Sequence, residues 1–494
     1  MRVRRLGSNK REAPLAPPRR LGLTLGLLVS AQFAVVVDYS IVQIALPTIR
    51  LSLGFSLSDL QWIVSAYGLT FAGFLLLSGR LSDIYGRKRF FILGLTVFTI
   101  SSLFAGLSNS ETFLILSRMV QGIGAAMASA AGLALITRIF GPIGKLGQAL
   151  GIFTAVSSAG FTAGILLGGL LTEVLGWRWI FFVNIPVGLT ATILSYRILP
   201  QYVYDQSMKG RIDLPGAISV TAGLILLVYG LSEVGNGSTS ASTYASFILA
   251  ALILLIFVVI ETRTSSPILP LRFLRRDTIF FANATALLTF AATVPWVFLV
   301  TQYLQNFRSY QPIYAAAALI PGSMTYFLLG GFGAPKLVKR IGAKRVLIIA
   351  MTILTIGLLL TSRISLASDY WSYIFPTIVI SAIGGSLSLT ASNIAALSGA
   401  ERGEEGIASG LINTSRQVGG PIGLAIAISV VGLATNGLGM SAPASEVISA
   451  FQDGLVAAAG FAAIAVVAAL LIPKSKPRRT QIGQASGTVS DLPE

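Results

Sequence analysis

Neither cysteine nor histidine occurs in the 494 residues of the chain. The first absence excludes disulfides, thiol nucleophiles and thiolate metal sites, and the second removes the side chain that ordinarily titrates near neutral pH. Ser-His-Asp triads and most zinc sites are therefore impossible, and no Walker loop occurs, so we expect neither an enzyme, a metal site nor a cofactor. Proton chemistry must therefore use carboxylates, and any process that needs energy must draw it from an ion gradient.

Charge is scarce as well, because charged residues make up 11% of the chain and hydrophobic residues 54%. Soluble domains carry roughly 25% charged residues. The apolar residues form runs long enough to cross ~30 Å of hydrocarbon as helices. We predict an all-α polytopic membrane protein with fourteen transmembrane helices, near residues 22–48, 60–79, 89–108, 112–137, 146–173, 177–199, 214–232, 244–261, 278–304, 312–334, 346–364, 370–396, 406–433 and 450–473.

The formal charge of +17 could indicate a nucleic-acid partner, but the positive residues lie between the predicted spans. All but six of the 36 Lys and Arg residues fall on one side of the membrane, the exceptions being Arg50, Arg178, Arg308 and Arg363 in opposite loops and Arg118 and Arg416 within spans. The positive-inside rule then places both termini in the cytoplasm. The partners expected are the lipid bilayer, protons and a small molecule, not nucleic acid; a monomer is compatible with the sequence.

An internal repeat divides the chain into parts. Residues 79–89 align with residues 335–345, and each segment follows the second span of a set of six. We predict a basic cytoplasmic tail at 1–20, a six-helix bundle at 21–200, two inserted helices with linkers at 201–277, a second six-helix bundle at 278–473 and a disordered tail at 474–494. Parallel repeats of this kind are typical of transporters.

The first of these repeated segments resembles the cytoplasmic motif that the major facilitator superfamily carries between its second and third helices. A glycine can adopt the strained turn that the motif needs, and an aspartate can cap a helix or pair with a cation. A basic loop that only sets the membrane topology would explain the charges but not Asp83 and Gly86 at this spacing. The resemblance implies a conformational latch formed by Gly79, Asp83, Gly86, Arg87, Lys88 and Arg89. Ile84 stands where the family usually has a base.

Fourteen spans narrow the resemblance to the fourteen-helix drug:proton antiporter group. The segment from Asp38 to Pro47 is similar to that group's Asp-x-Thr-Ile-Val-Asn-x-Ala-Leu-Pro, with Ser40 and Gln43 as departures. Asp38 is the acid deepest inside a predicted span, and an intramembrane carboxylate is costly unless it is paired or functional. Arg118, in a segment resembling the family's Arg-x-x-Gln-Gly-x-Gly, is its expected partner. The resemblance implies proton coupling by this pair; a purely structural ion pair is the alternative.

Glycines of the fifth span, Gly151, Gly160, Gly164, Gly168 and Gly169, reproduce the spacing of a motif associated with antiporters. The family completes that motif with proline, where this chain has Ile165. Close helix packing explains the glycines equally well. In the thirteenth span the repeat offers Pro421, which should free the Gln417 carbonyl and bend the helix. Arg416, in a stretch resembling the group's Asn-x-x-Arg-Gln-x-Gly-Gly, has no obvious acidic partner.

Uncharged polar side chains in the spans are weaker candidates for a substrate cavity: Gln32, Tyr39, Gln43, Trp296, Gln302, Tyr326 and Asn393. Taken together, the resemblance implies a secondary exporter of lipophilic or cationic drugs and antibiotics, driven by protons, in a bacterial inner membrane. A transporter of the same fold for one metabolite, peptide, lipid or siderophore is the nearest alternative. A receptor or lipid-handling scaffold without transport is the alternative from another class.

Overall fold

The computed structural model describes residues 21–200, 213–238, 240–264, 267, 269, 271–401 and 404–473. Within these ranges 14 helices are long and apolar enough to span a membrane, which confirms the predicted number. The predicted tails 1–20 and 474–494 and most of the linker before the inserted helices lie outside the described residues.

The spanning helices follow the predicted order and start within six residues of the predicted positions. They are α1 Leu21–Leu53, α2 Leu57–Tyr85, α3 Arg87–Gly106, α4 Glu111–Phe140, α5 Leu146–Val174, α6 Trp179–Ile198, α7 Leu214–Gly235, α8 Ala241–Arg263, α9 Asp277–Asn306, α10 Pro312–Ile341, α11 Ala343–Thr361, α12 Tyr370–Ser398, α13 Glu405–Ala434 and α14 Ala444–Leu471.

Helices extend beyond the apolar runs at the repeated motif, which differs from the loop expected there. α2 continues as helix to Tyr85, and α3 begins at Arg87, so the connection is Gly86 alone, with φ +115°. The repeat places Gly342 at the same point between α10 and α11, with φ +86°. The amides of these glycines donate to the carbonyls of Ser82 and Val338, four residues earlier. Glycine is favoured at both turns because other residues are strained at positive φ.

The helices before and after the inserted pair pack largely among themselves. In the first half α1 packs along α5, and α4 packs along α2 and α3; in the second half α9 packs along α13 and α14, and α11 along α12. The halves meet at two seams, α5 with α10 and α2 with α13. The inserted α7 lies against both α2 and α13, and α8 packs on α7. The Ser232 hydroxyl of α7 donates to the Ser58 carbonyl of α2 at 3.0 Å.

The seam between α5 and α10 is closed at one face of the bundle and open at the other. We call the face where α1 begins the terminal face, and the opposite face the distal face. Near the distal face, a Cβ added to Gly169 would lie 2.5 Å from the Ala316 Cβ of α10. Gly151 lies five helical turns away on the same side of α5, ~27 Å nearer the terminal face, and an added Cβ there would meet nothing within 4 Å. The two halves therefore diverge along this seam toward the terminal face.

Candidate functional site

The Asp38 carboxylate lies in the middle of α1 with no exposed surface. Its Oδ2 accepts a hydrogen bond from Nη1 of Arg118 on α4 at 2.6 Å. Its Oδ1 accepts from Nε2 of Gln121 at 2.8 Å and from Nδ2 of Asn184 on α6 at 2.6 Å. Three donors from two other helices therefore converge on one buried carboxylate.

Further contacts hold these donors in place. The Nε atom of Arg118 donates to the Ile63 carbonyl of α2 at 3.1 Å, and its guanidinium carbon lies 4.2 Å from the centre of the Tyr67 ring. The Ser102 hydroxyl of α3 accepts from Gln121 and from Asn184, both at 3.1 Å, and donates to the Phe181 carbonyl of α6 at 2.9 Å. Side chains or carbonyls of α1, α2, α3, α4 and α6 thus form one network.

This arrangement matches an ionised carboxylate, because hydrogens from Arg118, Gln121 and Asn184 already point at its two oxygens. The opposite charges of Asp38 and Arg118 cancel, and such a buried pair persists only where further hydrogen bonds offset its desolvation. Both groups are sealed from solvent in this state. The geometry is that of a buried charge pair supported by hydrogen bonds from neutral side chains.

The sequence identified the two charged members of the network and missed its neutral members. Gln121 stood in the motif that includes Arg118, three residues further along the helix, which is the spacing that puts two residues on one face. Asn184 follows six residues after Arg178, which the sequence predicted to lie in a loop on the outer side of the membrane. In the structure Asn184 is buried against Asp38 instead.

The glycines of α5 mostly face α1, the helix that carries Asp38. An added Cβ at Gly164 would lie 1.9 Å from the Ser40 hydroxyl, and one at Gly168 would lie 2.5 Å from the Ile41 carbonyl. Gly160 faces Phe33, at a looser 3.2 Å. Gly169 faces α10, and Gly151 faces open space. Four of the five predicted glycines therefore set close helix contacts, three of them along α1.

The side-chain contacts of the predicted latch residues lie within the first half. Arg87 Nε pairs with Asp83 Oδ1 at 2.8 Å, and its Nη1 donates to the Ala134 carbonyl of α4 at 3.2 Å. Lys88 donates to the carbonyls at the end of α6, those of Tyr196 and Leu199. Gly79 faces open space, and Arg89 is exposed.

The candidate cavity residues are distributed over both halves. Gln32 accepts from the Ser129 hydroxyl at 3.0 Å, Tyr39 lies 6.2 Å from Tyr67 between ring centres, and Tyr326 packs on Gly385. Asn393 is half-buried. The remaining three each have one buried polar atom without a partner in the described part of the chain, namely Gln43 Oε1, Trp296 Nε1 and Gln302 Nε2.

In α13, Arg416 lies against α9 and α12, and Pro421 lies against α2. Nη2 of Arg416 donates to the Leu389 carbonyl at 2.8 Å and to the Ser392 hydroxyl at 3.2 Å. Pro421 packs against α2, where its ring lies 3.0 Å from a Cβ added to Gly68. The helix remains continuous from Glu405 to Ala434 through this proline.

Comparison with known proteins then places the chain in a family. The model of the Major Facilitator Superfamily matches residues 28–424. The chain belongs to this superfamily. It is 37% identical to a cephamycin export protein of Amycolatopsis lactamdurans over 90% of this chain and 92% of that protein. It is 31% identical to a puromycin resistance protein of Streptomyces alboniger, over 97% and 95% of the two chains.

A lincomycin resistance protein of Streptomyces lincolnensis is also 31% identical, over 84% of this superfamily member and 85% of that protein. Among solved structures, a bacterial homologue of the human lysosomal transporter Spinster superposes with a TM-score of 0.64 at 16% identity, covering 91% of this chain and 96% of the other. A nucleoside transporter superposes with a TM-score of 0.63 at 13% identity, over 92% and 99%. The fold is therefore that of a multi-pass transporter of small molecules, as the sequence predicted.

Proposed function

We propose that this superfamily member exports antibiotics and other lipophilic drugs from the bacterial cytoplasm in exchange for protons. The substrate class is supported by the export and resistance proteins to which it is similar over nearly its whole length. Proton coupling is supported by one observation above others, the sealed Asp38 carboxylate and its Arg118 partner.

In the proposed cycle the terminal face is cytoplasmic and the protein lies in the inner membrane. The seam open beside Gly151 and closed beside Gly169 then corresponds to an inward-open state, with Asp38 ionised and a drug free to enter. To reach the outward-open state, α5 and α10 must separate at Gly169 and approach each other at Gly151. A proton arriving from outside neutralises Asp38 and breaks its pair with Arg118, which favours drug release and return.

The proposed latch acts on the equilibrium between the inward-open and outward-open states. In the inward-open state Asp83 pairs with Arg87, its neighbour one turn along the chain, so this ion pair lies within the first half. We propose that Asp83 and the basic residues around Gly86 make contacts with the second half only when the terminal face closes. The latch would then stabilise the outward-open state.

The proposed function is tested in vesicles that contain the purified protein and an imposed pH gradient. Vesicles with an acidic lumen should accumulate labelled puromycin and lincomycin well above protein-free vesicles with the same gradient, and nigericin should abolish the difference. Accumulation of one compound class alone would indicate a narrow transporter. Identical uptake with and without protein for every drug tried would contradict export and favour a receptor or scaffold.

A further inference from the structure

Among the residues that the structure describes, Arg416 is a buried cation without an ionic partner. It lies eleven residues into α13, roughly 16 Å along the helix from its start, and is 7% exposed. Its Nη atoms contact neutral acceptors, the Leu389 carbonyl, the Ser392 hydroxyl and, at 3.4 Å, the Asn413 side chain. Its Nε has no hydrogen-bond partner in the described part of the chain. In the described ranges no carboxylate forms an ion pair with it.

An unpaired charge at this depth is costly in a membrane protein, and such residues mark sites where an ion or substrate binds. The contrast with Arg118 is informative, because that arginine is neutralised by Asp38 at 2.6 Å and satisfied by further acceptors. Arg416 has comparable burial without the neutralising anion. Carbonyl and hydroxyl oxygens lower the cost of its burial but leave a full positive charge.

The guanidinium of Arg416 lies among helices of its own half, bonded to α12 and with its carbon 6.0 Å from the centre of the Phe290 ring of α9. Gly420 lies one turn further along the same face of α13, and a Cβ added there would lie 3.1 Å from Val294 of α9 and 3.7 Å from the hydroxyl of Tyr39 on α1. Arg416 is one turn nearer the terminal face, where the α5–α10 seam is open. On α1, Gln32 lies two turns from Tyr39 in the same direction and on the same face. The two halves therefore come close together at Gly420 and Tyr39, one turn beyond Arg416.

In the middle of the described bundle, no carboxylate is available to bind a cationic compound. The buried acids among the described residues are Asp38, Asp213 and Glu261. Asp38 is saturated by three donors, while Asp213 and Glu261 lie at the helix ends of α7 and α8. The unneutralised charge available to a ligand in the middle of the described bundle is thus positive.

We propose that Arg416 binds an anionic group of the transported compound, so that a lipophilic carboxylate or zwitterion is bound more tightly than the same compound without its negative charge. This inference rests on the proposed transport function and refines its substrate class. A carboxylate would receive charge-assisted hydrogen bonds from the guanidinium, with Asn413 and Ser392 as neighbouring polar groups. The apolar remainder of the compound would occupy the space between the halves.

The test measures binding of two acid and ester pairs, fusidic acid and 1-naphthaleneacetic acid with their methyl esters, to the full chain in phosphatidylcholine nanodiscs. Wild-type protein should bind each acid about tenfold more tightly than its ester, as one charge-assisted hydrogen bond would give. Arg416→Gln should abolish this preference while the ester affinity stays unchanged. Arg416→Lys should keep part of it, because charge remains without the planar fork.

A matched control is Arg308→Gln, since Arg308 lies in a distal loop and bonds the Leu366 carbonyl; it should behave as wild type. If Arg416→Gln weakened the binding of acid and ester equally, the role of Arg416 would be structural and the proposal would be overturned. Wild-type protein that binds neither acid would also overturn it. Loss of the preference in phosphatidylglycerol nanodiscs alone would assign the site to a lipid headgroup instead. Binding needs no gradient, so these results remain interpretable if proton-driven export fails.

Discussion

At the scale of single residues, the centre of the molecule depends on two opposite charges that neither water nor lipid can solvate. Asp38 and Arg118 are at most 1% exposed, so each is the other's only counter-charge in the described structure. Gln121 and Asn184 satisfy the second carboxylate oxygen. Removing one charge therefore costs more than removing both, because a lone buried ion keeps its desolvation penalty.

This reasoning predicts a strong coupling between substitutions at the two positions. Asp38→Asn and Arg118→Gln should each destabilise the protein by about 3–5 kcal/mol, the usual cost of breaking a buried pair from one side. The double variant should recover much of that loss. Thermal unfolding in detergent, followed by tryptophan fluorescence, measures the cycle; additive losses would show that the two charges do not interact in the folded protein.

Sequence reasoning reached part of this site. Asp38 and Arg118 were predictable because charges inside apolar runs are conspicuous and because both stand in recognisable motifs. Gln121, Asn184 and Ser102 were not, because a neutral polar residue in a span has many possible partners. Which partner it meets depends on the rotation and tilt of α3, α4 and α6, and hydropathy carries no information on either.

At the scale of helices, α5 positions α1 through its glycines. Gly168 allows the Ile41 carbonyl to approach within a distance that any side chain would block. Ile41 follows Asp38 by less than one turn, so displacement of α1 at this contact should also disturb the charge pair. The glycines thus join helix packing to the proposed coupling site, and the two interpretations left open by the sequence are compatible.

Two alanine substitutions in α5 separate packing from helix propensity. Gly168→Ala should destabilise the protein by about 1–3 kcal/mol through overpacking and should slow transport. Gly151→Ala, whose methyl group would meet open space in the same helix, should be neutral or stabilise by up to about 1 kcal/mol. The comparison uses unfolding temperature and vesicle flux; equal effects at both positions would mean that the close contact at Gly168 is unimportant.

The spans themselves were largely predictable, whereas their ends were not. Hydropathy detects the apolar part of α2, but the helix continues through Arg80 and Asp83 to Tyr85. Backbone hydrogen bonding continues after the side chains become polar, so the predicted loop is a single glycine turn. The repeat supplied the missing information, because Gly86 and Gly342 share their position and their positive φ.

At the scale of the whole molecule, the proposed transport cycle requires the α5–α10 seam to open at its closed end and to close at its open end. The inserted α7 touches α2 and α13 at the opposite seam, with its Gly235 in close backbone contact with Gly432 of α13. Movement should therefore be larger at the α5–α10 seam than at the seam that α7 bridges. Gly151 reports the opening at the terminal face.

The absence of cysteine makes this movement measurable with a single introduced thiol. In a Gly151→Cys background, a membrane-impermeant maleimide should react from the cytoplasmic side. Adding Asp83→Asn should raise the labelling rate several-fold, because loss of the latch favours the inward-open state. Asp59→Asn, the same change at an aspartate near the distal face, is the control and should leave the rate unchanged. An unaltered rate in the Asp83 variant would contradict the latch.

The central claim, that Asp38 couples drug movement to protons, is tested most directly by recording both fluxes in the same vesicles. A drug gradient across wild-type vesicles should drive protons in the opposite direction, read by a trapped pH dye. Asp38→Asn, and the better balanced Asp38→Asn with Arg118→Gln, should still exchange labelled drug but move no protons. Asp453→Asn, an exposed acid in α14, is the control and should retain both fluxes. Proton movement of wild-type size in folded Asp38 variants would contradict the account.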